Sequence, residues 1–103
     1  MNKGHKRYSQ ILQAVLDLAA QHGYKSVTRQ MIADECDIRS SHIGYYFGTM
    51  DNVRDTIVRT AVASGRYDIA AQALPMEHPE VINAPEDVKR EIIKYLEEVA
   101  ESA

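Results

Sequence analysis

The stretch Thr28-Arg-Gln-Met-Ile-Ala-Asp-Glu-Cys-Asp-Ile-Arg-Ser-Ser-His-Ile-Gly-Tyr-Tyr-Phe47 holds two short helical patterns with a tight connection between them. Thr28 is a good N-cap, and Met31, Ile32 and Cys36 follow at helical spacing. That helix is expected to end near Cys36, with Asp37 and Ile38 forming the turn. A second helix is expected from Arg39 or Ser40 to Phe47, with Ile43 and Phe47 four apart and facing inward. Arg39, Ser40, Ser41, His42 and Tyr45 then face outward. Two short helices, a tight turn, and small polar and basic side chains on the second one make a helix-turn-helix.

Outward from this core the helical signals continue on both sides. From Tyr8 to His22 the residues Ile11, Leu12, Val15, Leu18 and Ala19 recur at steps of three and four; Ser9 is placed to cap that helix and Gly23 to stop it. After Gly48, Thr49 is placed to cap a fourth helix, with Asn52 as a weak capping-box partner. Its buried stripe would be Val53, Ile57, Thr60 and Ala61, and it would run to about Ala63. Arg66 to Leu74 reads as its continuation or as a further short helix. Pro75 to Pro85 contains three prolines and reads as a linker. A last helix is expected from Pro85 to Ala100, with Glu86 and Asp87 favouring its N-terminus and Val88, Ile92, Leu96 and Val99 forming a narrow apolar seam. No strand pattern and no repeat occurs, so the expected fold is all-α: a three- or four-helix domain over 1–63, then a short helical assembly segment over 64–103.

Composition bounds the possible functions. Hydrophobic residues make up 45% of the 103, ordinary for a folded chain. No apolar run approaches the roughly 18 residues of a membrane span, and no signal-peptide pattern follows Met1, so no membrane partner and a cytoplasmic location are expected. The lone Cys36 is read as a small core residue. No cysteine–histidine cluster has metal-ligand spacing, so neither metal nor cofactor is expected. Paired carboxylates, a nucleophile with its base and a phosphate loop are all missing, which argues against an enzyme. The formal net charge is −3, but its distribution is uneven: residues 1–66 carry nine Lys and Arg against six Asp and Glu, whereas 67–103 carry three against nine. A basic front and an acidic back suit a front that faces an anionic polymer and a back that faces elsewhere.

The outward residues have the chemistry for duplex DNA. The major groove is about 12 Å wide and admits one helix. Ser40, Ser41 and His42 are small or polar enough to reach base edges, and Arg39, Tyr45, Tyr46, Thr28 and Arg29 are of types that contact phosphate. Helix N-termini at Thr28 and Thr49 offer backbone amides to the same groups. Tyr45 and Tyr46 also suit a core role, and one of the pair is expected to be partly buried. The basic start, Lys3, Lys6 and Arg7, reads either as a solubilising tail or as an arm that tracks DNA.

Ile11 to Tyr24, ending in Gly followed by an aromatic, resembles the first helix of the tetracycline-repressor (TetR) family. Thr28 to Ile38 resembles its second helix and turn, Ser41-His-Ile-Gly-Tyr-Tyr-Phe47 its recognition helix, and Gly48 to Val53 the start of its fourth helix. The resemblance runs without a gap over about Ser9 to Ala61. It implies base reading by Ser40, Ser41 and His42, base or phosphate contact by Tyr45 and Tyr46, and backbone or groove-edge contact by Thr28, Arg29 and Gln30. Asp37 stands where the family prefers Gly, Gly44 where it often has a phosphate-contacting tyrosine, and Met50 where it often has a phosphate-holding lysine. Only about 40 residues follow the fourth helix, so the small-molecule inducer pocket usual in the family is not expected. Such compactness would suit a phage or mobile-element regulator. Specific DNA affinity usually needs two copies on a two-fold site. The expected partners are therefore double-stranded DNA and a second copy of the chain, with Ile69, Leu74, Val88, Ile92, Leu96 and Val99 as the dimerisation residues; the terminal seam suits packing on its own domain equally well. The function read here is a sequence-specific transcriptional regulator, a repressor on a palindromic operator. The alternative is a protein-interaction module, an anti-repressor or adaptor with a regulatory protein partner, motivated by the acidic back and by Gly44 and Met50.

Overall fold

The computed structural model describes residues 3–102, with side chains over 6–102. It is all-α: α1 (Lys3–His22), a 3-10 turn (Tyr24–Ser26), α2 (Arg29–Cys36), α3 (Ser40–Phe47), α4 (Met50–Ser64), α5 (Tyr67–Ala73), α6 (Pro79–Ile82) and α7 (Glu86–Ser102), with no strand among the described residues. The chain divides into two compact units, 1–57 and 58–103, and the division falls within α4.

In the first unit α1 packs against α2, and α2 against α3. The α1 stripe behaves as its spacing requires: Ile11, Val15, Leu18 and Ala19 are buried, as is Leu16, while Leu12 is half-buried. The helix begins earlier than the apolar period does. Ser9 lies inside α1 rather than at its cap, because residues 3–8 contain no proline and Tyr8 supplies a tertiary anchor. Its ring centroid lies 5.0 Å from that of Phe47 and 6.3 Å from that of Tyr46. The side chain of Lys3 lies outside the described residues.

Local chemistry sets the next three boundaries. The Thr28 hydroxyl accepts from the Met31 amide at 3.2 Å and caps α2. Asp37 is left-handed, with φ 53° and ψ 49°. Its amide reaches the Asp34 carbonyl at 3.4 Å, and the Ile38 amide reaches the Ala33 carbonyl at 3.0 Å, which is the paired closure of a Schellman turn. Aspartate tolerates this conformation better than most side chains, so the turn closes without the glycine usual there. The Thr49 hydroxyl accepts from the Asn52 amide at 3.1 Å and caps α4. Asn52 does not complete a capping box: its side-chain amide donates to the Phe47 carbonyl and ties the start of α4 to the end of α3. The α4 stripe buries Val53, Ile57 and Ala61 as expected, and Val58 with them, while Thr60 is only half-buried.

In the second unit α5 packs against α7. Three alanines of α5, Ala70, Ala71 and Ala73, are buried beside Ile69 and permit a close approach. Two expectations are corrected here. The Pro75–Pro85 segment is not an open linker. His78 Nδ1 accepts from the Glu80 amide at 3.1 Å, Pro79 opens the one-turn helix α6, and Val81 and Ala84 are buried. Prolines suit such starts because their missing amides are orphans there anyway. The second correction concerns dimerisation. Ile69 and Ile92 are 0% exposed within the chain itself, so neither has surface to give to a second copy. Leu74, Val88 and Leu96 are half-buried, and Val99 is 49% exposed.

Two stability effects follow. Ile92→Ala removes a fully buried side chain and is expected to cost about 2–5 kcal/mol in urea denaturation, whereas Val99→Ala should stay within about 0.5 kcal/mol. Asp37→Val puts a β-branched residue at positive φ and should cost about 1–2 kcal/mol, with Asp37→Gly no less stable than the parent.

Candidate nucleic-acid interface

The period of α3 sorts its eight residues onto two faces. Ile43 (0%) and Phe47 (4%) are buried, which turns Ser41, His42 and Tyr45 out to solvent; Ser40 lies on the side of Ile43 and is exposed because it opens the helix. Tyr45 is 84% exposed, unusual for an aromatic ring. Tyr46 is half-buried. Its ring meets that of Tyr45 edge-on at 5.3 Å and faces Tyr8 on the other side, so it supports Tyr45 rather than standing free. Of the two tyrosines, Tyr46 is thus the partly buried one.

The N-terminus of α3 differs from its neighbours. Thr28 and Thr49 spend their hydroxyls on the first turns of α2 and α4. Arg39, at the cap position of α3, makes no side-chain cap bond and leaves its guanidinium exposed. With Arg7, Asp37, Ile38 and His42 it lines a shallow open cleft. Arg7 therefore reaches the start of α3, beside Arg39 and His42. The early start of α1 puts it there, and the basic opening of the sequence was the only signal of it.

Other expected contact residues are engaged within the protein. Gln30 Nε2 donates to Asp34 Oδ1 at 2.7 Å along α2. Arg29, half-buried, crosses from α2 to α3; its Nη2 donates to the Gly48 carbonyl at 3.1 Å and its Nη1 to that of Ser40 at 3.4 Å. Met50 is half-buried. The structure thus leaves Ser41, His42 and Tyr45 on one exposed face of α3, with Arg39 and Ser40 exposed at its start and Thr28 and Thr49 exposed at the starts of α2 and α4; Arg29 and Tyr46 are half-buried, and Gln30 is exposed but bonded along α2.

Cys36 is half-buried between α1 and α2. Burial pushes its thiol pKa up, Arg7 pulls it down, and Glu35 adds to the rise. A raised thiol is a poor nucleophile, which fits a packing role. Among the described residues no group of three or more His, Cys, Asp or Glu is placed to hold a metal ion, and no helix is long and apolar enough to cross a membrane.

Comparison with known proteins agrees with this geometry. No curated protein and no solved structure matches the chain. Residues 11–56 match the family model described as bacterial regulatory proteins, tetR family. The matched segment includes most of α1, all of α2 and α3, and the first seven residues of α4, and so contains the whole exposed face of α3. The helix-turn-helix over residues 28–47 thus lies inside a segment similar to the tetR family of bacterial regulatory proteins.

Proposed function

We propose that the chain is a cytoplasmic transcriptional repressor that binds a palindromic operator as a homodimer, with α3 lying in the major groove. The observation that carries this reading is the outward face of α3: three polar side chains at Ser41, His42 and Tyr45 opposite a buried Ile43 and Phe47, with Ser40 exposed at the start of the helix. Ser41 and His42 read base edges by hydrogen bonding, and the adjacent Ser40 contributes a third short donor. Arg39 and the Tyr45 hydroxyl hold phosphates, and the uncapped amides at the start of α3 add a favourable partial charge. Arg7 extends the cationic rim along the backbone of the duplex. A second copy supplies the other half-site, and the exposed Val99 with the half-buried Leu96 on α7 is the apolar surface offered to it.

One observation favours a second reading. The acidic back half carries Met76, Ile82, Ile93 and Val99 as exposed large apolar residues, which suits docking to another protein. Salt separates the two, because phosphate neutralisation gives a log–log slope near −0.9 per contact.

In vitro selection from a random duplex library at moderate salt should enrich an inverted repeat; no enrichment by a folded protein would transfer the assignment to the protein-docking reading. On the selected duplex, Ser41→Ala and His42→Ala should change the preferred bases. Arg39→Ala should weaken binding to all sequences alike and reduce the salt slope by about 0.9. In sedimentation, Val99→Asp should shift the protein toward half the parent mass, and an unaltered dimer would rule out α7 as the interface.

A further inference from the structure

We propose that Arg29 and Gly44 form a matched pair that sets the pose of α3, so that Arg29 is a positioning residue for sequence recognition and not a phosphate contact. The proposal rests on the DNA-reading function above. Arg29 is the first residue of α2, yet its guanidinium lies along α3, joined to the carbonyl of Ser40 in the first turn and of Gly48 just beyond the last. Midway between these two carbonyls in sequence is Gly44. A Cβ built on Gly44 would stand 3.2 Å from Arg29 Nη1, closer than ordinary van der Waals contact. A side chain at position 44 therefore requires the guanidinium to give by a few tenths of an ångström from a place fixed by its two carbonyl bonds.

This accounts for a residue that is otherwise a defect. Glycine inside a helix costs about 1 kcal/mol relative to alanine, and the φ of Gly44 is not positive, so the backbone does not require it. What requires it is room for the cation. The planar fork of arginine can serve two carbonyls at once, which a lysine ammonium, a single point on a flexible stem, does far less well. Ile43 and Phe47 hold α3 down by apolar burial, which is non-directional, and Asn52 tethers its C-terminal end to α4. Hydrogen bonds to both ends of the helix are directional. They fix α3 against α2 and with it the direction in which Ser40, Ser41 and His42 point.

The test uses Arg29→Ala, Arg29→Lys, Gly44→Ala and the double variant Arg29→Ala/Gly44→Ala, each checked for helical content by circular dichroism. The first readout is amide hydrogen exchange over α3 without DNA. The second is the affinity ratio between a duplex recovered by selection from a random library and a scrambled duplex, together with the salt slope on each. Both Arg29 variants are expected to speed exchange over α3 and to lower the affinity ratio tenfold or more, with an unchanged salt slope. Gly44→Ala should speed exchange when Arg29 is present and slow it when Arg29 is Ala, a reversal of sign that helix propensity alone does not produce. Slowed exchange in both backgrounds overturns the pairing. A salt slope smaller by about 0.9 in Arg29→Ala, with the affinity ratio intact, makes Arg29 a phosphate contact and overturns the positioning role. A library that enriches nothing removes the DNA reading, and the exchange arm still decides the pair.

Discussion

An isolated helix of eight residues is not stable in water, because nucleation costs more than so few hydrogen bonds return. Everything α3 does depends on tertiary support, and the central part of that support is the burial of Ile43 and Phe47. Each brings roughly 1.5–3 kcal/mol from the removal of its side chain from water. Because the helical period is 3.6, burying positions 43 and 47 leaves 41, 42 and 45 on the other side. The exposed polar face is thus the geometric complement of the packing face. The same packing recruits Tyr8 from α1, whose ring lies over Phe47 and draws the basic start of α1, Arg7 included, toward the exposed face.

The ends of the short helices are closed by local chemistry: hydroxyl caps at Thr28 and Thr49, a left-handed aspartate at Asp37, and an asparagine tether from Asn52 to Phe47. These bonds set where each helix starts and stops, and so the length of the turn between α2 and α3. The start of α3 is the exception, with no side-chain cap, and it lies on the face where Arg39 and His42 are exposed. A helix N-terminus open to solvent amid cations is suited to an anion. Net charge does not reveal this arrangement, since the chain as a whole is acidic and the positive groups are concentrated toward its front.

The second unit follows a different economy. Its small residues let α5 approach α7 closely, and a histidine-capped turn of helix buries Val81 within a segment rich in proline. The largest fully buried side chains there, Ile69 and Ile92, are consumed by the unit's own core. What is left at its surface is scattered: Met76, Ile82, Ile93 and Val99, among many carboxylates.

The sequence by itself determined the features whose causes are local or periodic. Thr28, Asp37, Gly48 and Thr49 act within a few residues of themselves, and the inward and outward faces of α3 follow from the spacing of Ile43 and Phe47. Only the tertiary structure decided the rest. The apolar period of α1 begins at Ile11, so it carried no trace of the extension held by Tyr8, whose partner is 39 positions away. Ile92 sits in a seam whose period is the same whether it faces another copy or α5. Arg29 has the composition of a DNA contact but turns to the carbonyls of Ser40 and Gly48, through the space left by Gly44. In each case the residue's type and spacing allow several partners, and the choice among them is made by which elements the folded chain brings within a few ångströms.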